Sequence, residues 1–134
     1  MGDNVNDSIA FNRGGMMRTR YMGYNDYNMD ADDVKSIRHF CESIEAGSDD
    51  DSALKKCCQL VNNDVAAQLY TSLAKGLSYD EIFKREYIPL GRNDFYGYRR
   101  RVLARFFRIK LDEEWSKVHT KISMREDSIE VGGD

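Results

Sequence analysis

One proline, one tryptophan, two histidines and three cysteines occur in 134 residues. The scarcity of cysteine and histidine removes whole classes of protein. Cys41, Cys57 and Cys58 are odd in number, and no histidine or cysteine stands at zinc-ligand spacing from them. That argues against a disulfide framework and against a zinc site. The cysteines fall on apolar helical stripes, the pattern of buried, reduced thiols. His39 and Cys41 are two residues apart, so on a helix they do not face each other. No Ser-His-Asp set, paired catalytic carboxylates or phosphate-binding loop is visible. Asp49–Asp51 lacks the glycine and glutamate of a calcium loop. The expectation is a non-enzyme without metal or cofactor. No apolar run approaches the roughly 20 residues of a membrane span. Asp3, Asn4, Asn6 and Asp7 stand where a signal peptide carries positive charge and then apolar residues. The expected location is the cytoplasm, with no membrane partner.

What is abundant is charge, at 32% of residues, unevenly placed. Lys84–Lys110 holds nine Lys and Arg against Glu86 and Asp94, a balance of +7, within a chain of net charge −3. Asn25–Asp51 holds nine Asp and Glu against Lys35 and Arg38, a balance of −7. Such segregation bears on partners rather than on fold.

Apolar periodicity reads as helix throughout. Residues 1–24 have no clean period and form a flexible leader or a packed arm. In the packed reading Met16, Met17, Tyr21, Met22, Tyr24 and Tyr27 dock on the domain. Residues 25–122 form the helical domain. Asp30 caps a first helix carrying Val34, Ile37, Phe40, Cys41 and Ile44, which runs to about Ala46 and stops at Gly47. Leu54, Cys57, Cys58 and Val61 form a second stripe, broken at Asn62 and Asn63. Val65, Ala66, Leu69, Tyr70 and Leu73 form a third, ending at Gly76.

Ser78 and Glu81 then make a capping box, with Leu77 and Ile82 at staple positions. Pro89 and Gly91 end this short helix. Asn93 caps the next, and Asp94 suits its N-terminus. Phe95, Tyr98, Val102, Leu103 and Phe106 line its inner face. Gly97 permits close approach of another backbone. Leu111, Trp115, Val118 and Ile122 prolong this helix, start another, or alternate as a strand. Residues 123–134 read as a polar, disordered tail. The fold class is all-α, with about five helices and a helix-turn-helix-like unit over about residues 78–111.

With the apolar face inward, Asn93, Tyr96, Gly97, Arg100, Arg101, Arg105 and Arg108 turn mostly outward. In a helix-turn-helix the early outward residues meet base edges, and flanking cations meet phosphates. Asn93, Tyr96 and Arg100 are therefore the candidate base contacts. Arg92, Arg99, Arg101, Arg105 and Arg108 are the candidate phosphate contacts. Duplex DNA is the expected partner. The alternative is a small acidic module in which Asp30–Asp51 meets a host protein, for example by occupying the nucleic-acid channel of a host enzyme. Either reading admits a homodimer.

The segment from Gly76 to Phe106, GLSYDEIFKREYIPLGRNDFYGYRRRVLARF, resembles the C-terminal half of small, largely uncharacterised helix-turn-helix proteins from phages and mobile elements of Gram-positive bacteria. The matching positions are Gly76, Ser78, Tyr79, Ile88, Pro89, Asp94, Phe95, Tyr96, Tyr98, Arg99 and Arg100. Residues 21–44 match loosely. The resemblance implies a helical fold and a role in gene regulation.

Overall fold

A computed structural model describes the backbone of residues 18–133 and the side chains of residues 18–118. Within these residues the chain is all-helical. It has five α-helices: α1 Ala31–Ser43, α2 Asp49–Val61, α3 Ala66–Lys75, α4 Tyr79–Phe83 and α5 Arg92–Gly133. Short 3-10 turns occupy Thr19–Tyr21, Tyr24–Tyr27 and Asn63–Val65.

The helix boundaries follow local chemistry. Asp30 accepts the Asp33 N–H at 2.9 Å, and Asp33 accepts the Asp30 N–H at 3.0 Å. This reciprocal cap opens α1 and satisfies two donors that the helix itself leaves unpaired. Ser48 caps α2 through the Asp51 N–H at 3.2 Å. Asn62 leaves helical geometry and ends α2. Gly76, with φ of +69°, closes α3 in the left-handed conformation that glycine adopts without steric cost. The acidic segment therefore has a structural use: several of its aspartates sit at helix N-termini, where negative charge is favoured.

The inner stripes of all five helices meet in one core. Ile37 and Cys41 come from α1, and Leu54, Cys57, Cys58 and Val61 from α2. Val65, Leu69 and Leu73 face them. Phe95, Val102, Leu103 and Phe106 enter from α5 with no exposed surface. Burying side chains of this size contributes roughly 1.5–3 kcal/mol each. Phe106 stacks on Phe40 at 6.1 Å between ring centroids. Burial pushes the Cys41 and Cys58 thiols up to about 12, so neither forms thiolate at neutral pH. All three cysteines are free and buried.

Three sequence expectations need correction. α1 ends at Ser43 rather than about Ala46, because Ile44 is already extended. Asn93 does not cap α5: the helix starts at Arg92, and the Gly91 carbonyl accepts the Phe95 N–H at 3.0 Å. Asn93 is thus an exposed first-turn residue. From Leu111 on, the helix is prolonged, the first of the three alternatives, and the expectation that changes is the tail. α5 continues to Gly133, through the stretch expected as a tail, and its 42 residues span about 63 Å. The arm reading applies to residues 18–24, whose Thr19 is 4% exposed. The remainder of the leader, residues 1–17, lies outside the described residues.

Candidate nucleic-acid interface

The α4–α5 pair is held together by its own side chains. Ser78 Oγ accepts the Glu81 N–H at 3.1 Å, and Glu81 Oε1 accepts the Ser78 N–H at 2.8 Å. Tyr79 packs edge-on against Phe95 at 5.4 Å, and its hydroxyl donates to the Leu90 carbonyl. The link between the two helices, Lys84–Gly91, is eight residues long. A helix-turn-helix turn typically has three or four.

The face of α5 expected to read bases is largely occupied by the chain's own arm. The Arg100 Nε–H donates to the Met22 carbonyl at 2.7 Å, and its Nη2 donates to the Arg20 carbonyl at 3.2 Å. Arg20 pairs in turn with Asp94 at 3.4 Å. Gly97 is buried beneath the Thr19–Arg20 backbone. Tyr96 accepts the Tyr79 N–H at 2.8 Å through its hydroxyl. The outward orientation expected for Tyr96, Gly97 and Arg100 is therefore corrected. The helical phase alone turns them away from the apolar core, but the arm and α4 form a second packing surface on that side. Of the three candidate base contacts, Asn93 alone is exposed.

The five candidate phosphate contacts divide similarly. Arg99 is half-buried, stacks over the Tyr96 ring at 4.5 Å and donates to Ser72 Oγ at 3.0 Å. Burial lowers its pKa. Arg92 is exposed but pairs with Asp80 at 2.6 Å. Arg101 is half-buried beside Tyr27; burial raises the Tyr27 pKa and the Arg101 charge opposes that rise. Arg105 and Arg108 are exposed.

These last three arginines border a groove of about 770 Å³ between α2, α5 and the arm. Lys56, exposed on α2, completes its basic rim. Ala53, Cys57, Ala104 and Ile109 contribute apolar lining, and Leu60, 58% exposed, stands at the edge. The sequence reading missed Lys56. Nothing in its local sequence marks it, because only the packing of α2 on α5 brings it to the arginines. The acidic segment reaches α5 through Asp50, which pairs with Lys110 at 2.7 Å. Arg105, Arg108 and Lys56 have no carboxylate partner among the described residues.

Among the described residues, no group of three or more His, Cys, Asp or Glu side chains could hold a metal ion. None of the described helices is long and apolar enough to cross a membrane. Comparison of the chain with protein-family models, curated proteins and solved structures found no match.

Proposed function

We propose that the protein binds nucleic acid, duplex DNA in the first place, through Arg105, Arg108 and Lys56, with Arg101 at the inner edge of the groove. The observation that carries this reading is the cluster of exposed cations on adjoining faces of α2 and α5. Phosphate neutralisation by such side chains supplies affinity without sequence information. Because Tyr96 and Arg100 are held in internal bonds, selectivity rests on Asn93, and binding is phosphate-led. The α4–α5 pair is the helix-turn-helix-like unit of this reading. Its place in phage or mobile-element gene regulation rests on the resemblance of residues 76–106.

Titration of labelled duplexes at about 50 mM salt, where phosphate contacts are strong, tests the proposal. Arg105→Ala and Arg108→Ala should weaken binding to every sequence. Each should reduce the slope of log affinity against log salt by roughly 0.9. Absence of binding by the folded protein would overturn this reading. It would favour the acidic alternative, which the exposed Asp30, Asp32, Glu42, Glu45 and Asp49 support.

A further inference from the structure

We propose that residues 18–22 form a strap over a base-reading site on α5, and that Arg100 reads guanine in duplex DNA when the strap lifts. The inference rests on the nucleic-acid reading above and adds to it a site of sequence selectivity. Asn93, Gly97 and Arg100 follow one another at spacings of four and three, so they share one stripe over the first turns of α5. That end of a recognition helix is the one that meets base edges. Asn93 is exposed, and the strap covers the other two.

The contact between the strap and Arg100 has the chemistry of guanine readout. Nε and Nη2 form one edge of the guanidinium, with two donors side by side. They donate to the Met22 and Arg20 carbonyl oxygens at 2.7 and 3.2 Å. Guanine offers a similar pair of neighbouring acceptors, O6 and N7, in the major groove, and arginine binds them with two donors at once. The two carbonyls of the strap thus hold the place of a guanine edge. Gly97 serves both states. The missing Cβ that admits the Thr19–Arg20 backbone leaves room for a base edge once that backbone withdraws.

The strap is lightly held. Its only regular structure is the 3-10 turn Thr19–Tyr21, which has no side-chain cap. Thr19 is its one buried residue, and Tyr21 is 63% exposed. The Thr19 hydroxyl and Arg20 Nε are buried without hydrogen-bond partners. Arg20 Nε meets Asp94 only as an ion pair at 3.4 Å. Buried polar groups left unbonded disfavour the closed strap, and water satisfies them when it lifts. Met29, 2% exposed, keeps the arm tethered to the core. A duplex that binds the open form better shifts the chain toward it.

The test compares the full chain with Gly97→Ala, whose methyl group displaces the strap, and with Gly97→Ala combined with Arg100→Lys. Hydrogen exchange at the amides of residues 18–22 reports opening. A pool of random-sequence duplexes, sequenced before and after capture, reports selectivity. The parent should capture duplexes with weak enrichment of any base. Gly97→Ala should exchange faster in the strap and enrich guanine at one position by about tenfold. Lysine keeps the charge but not the paired donors, so adding Arg100→Lys should abolish the enrichment while capture persists. Unchanged exchange in Gly97→Ala, an opened strap without guanine enrichment, or enrichment indifferent to Arg100→Lys overturns the proposal, and capture by the parent then leaves the phosphate-led reading standing. Capture by neither the parent nor Gly97→Ala overturns both. If Gly97→Ala does not fold, Asp94→Asn, which removes the ion pair of the strap, takes its place under the same outcomes.

Discussion

Gly97 lies directly under the backbone of Arg20: a Cβ at position 97 would stand 2.7 Å from the Arg20 Cα and 2.9 Å from the Thr19 carbonyl oxygen. Mid-helix glycine costs about 1 kcal/mol relative to alanine. Here the missing methyl group lets the arm close on the helix.

Gly97→Ala should therefore lose more through the arm than it gains in helix propensity. The obstructing atoms are backbone and cannot turn aside. We expect net destabilisation of about 1–3 kcal/mol, the usual range for overpacking. Limited proteolysis within residues 18–27 should accelerate. A variant that is more stable than the parent, with an equally protected arm, would show that the arm's contact is dispensable.

Phe106→Ala removes a fully buried ring that stacks on Phe40. The loss should be about 3–5 kcal/mol in chemical denaturation. An unchanged unfolding midpoint would mean that the α1–α5 contact contributes little.

Ser78→Ala deletes one half of the α4 cap while leaving the Glu81 bond to the Ser78 backbone in place. The expected cost is about 1 kcal/mol. Hydrogen exchange at the amides of Tyr79–Phe83 should quicken first, because a helix of five residues has little else to hold it.

Asp51 and Tyr70 couple stability to pH at both extremes. The Tyr70 hydroxyl donates to the buried Asp51 carboxylate, which also accepts the Gly47 N–H at 2.9 Å and pairs with Lys55. These partners lower the Asp51 pKa. Its contribution is present above the unfolded value of about 3.9 and is lost as pH falls through the depressed folded value. The same hydrogen bond raises the Tyr70 pKa to about 12. That contribution is present below about pH 10, the unfolded value. It disappears as pH rises toward 12. Urea midpoints measured against pH should fall at both ends, and Tyr70→Phe should flatten both falls. A profile unchanged by that substitution would detach the pair from the pH dependence.

The nucleic-acid titration adds a contrast within α5. Arg105→Ala should act on binding with little effect on stability, since Arg105 is exposed. Arg100→Ala should act on stability and arm protection, because it strands the Arg20 and Met22 carbonyls.

Local chemistry was legible from the sequence alone. The caps at Asp30 and Ser78 each depend on residues three apart, so three-residue spacing was enough to find them. The stripes Leu54–Val61 and Phe95–Phe106 announced their helices and the core face, because burial imposes the 3.6-residue period. Gly97 was recognisable as a point of close approach, though not what approaches it. Tertiary structure decided which side chains are left for a partner. Arg100 and Arg105 have the same chemistry and lie near each other on one helix. Arg100 is bonded to an arm nearly 80 residues earlier, while Arg105 faces the groove formed with α2. Periodicity distinguishes a core face from its opposite but cannot show that a distant segment covers the opposite face as well. Lys56 joined the basic rim, and Asp51 at the start of α2 became buried against Tyr70, for the same reason: their surroundings are made by residues remote in sequence, and only folding brings those within range.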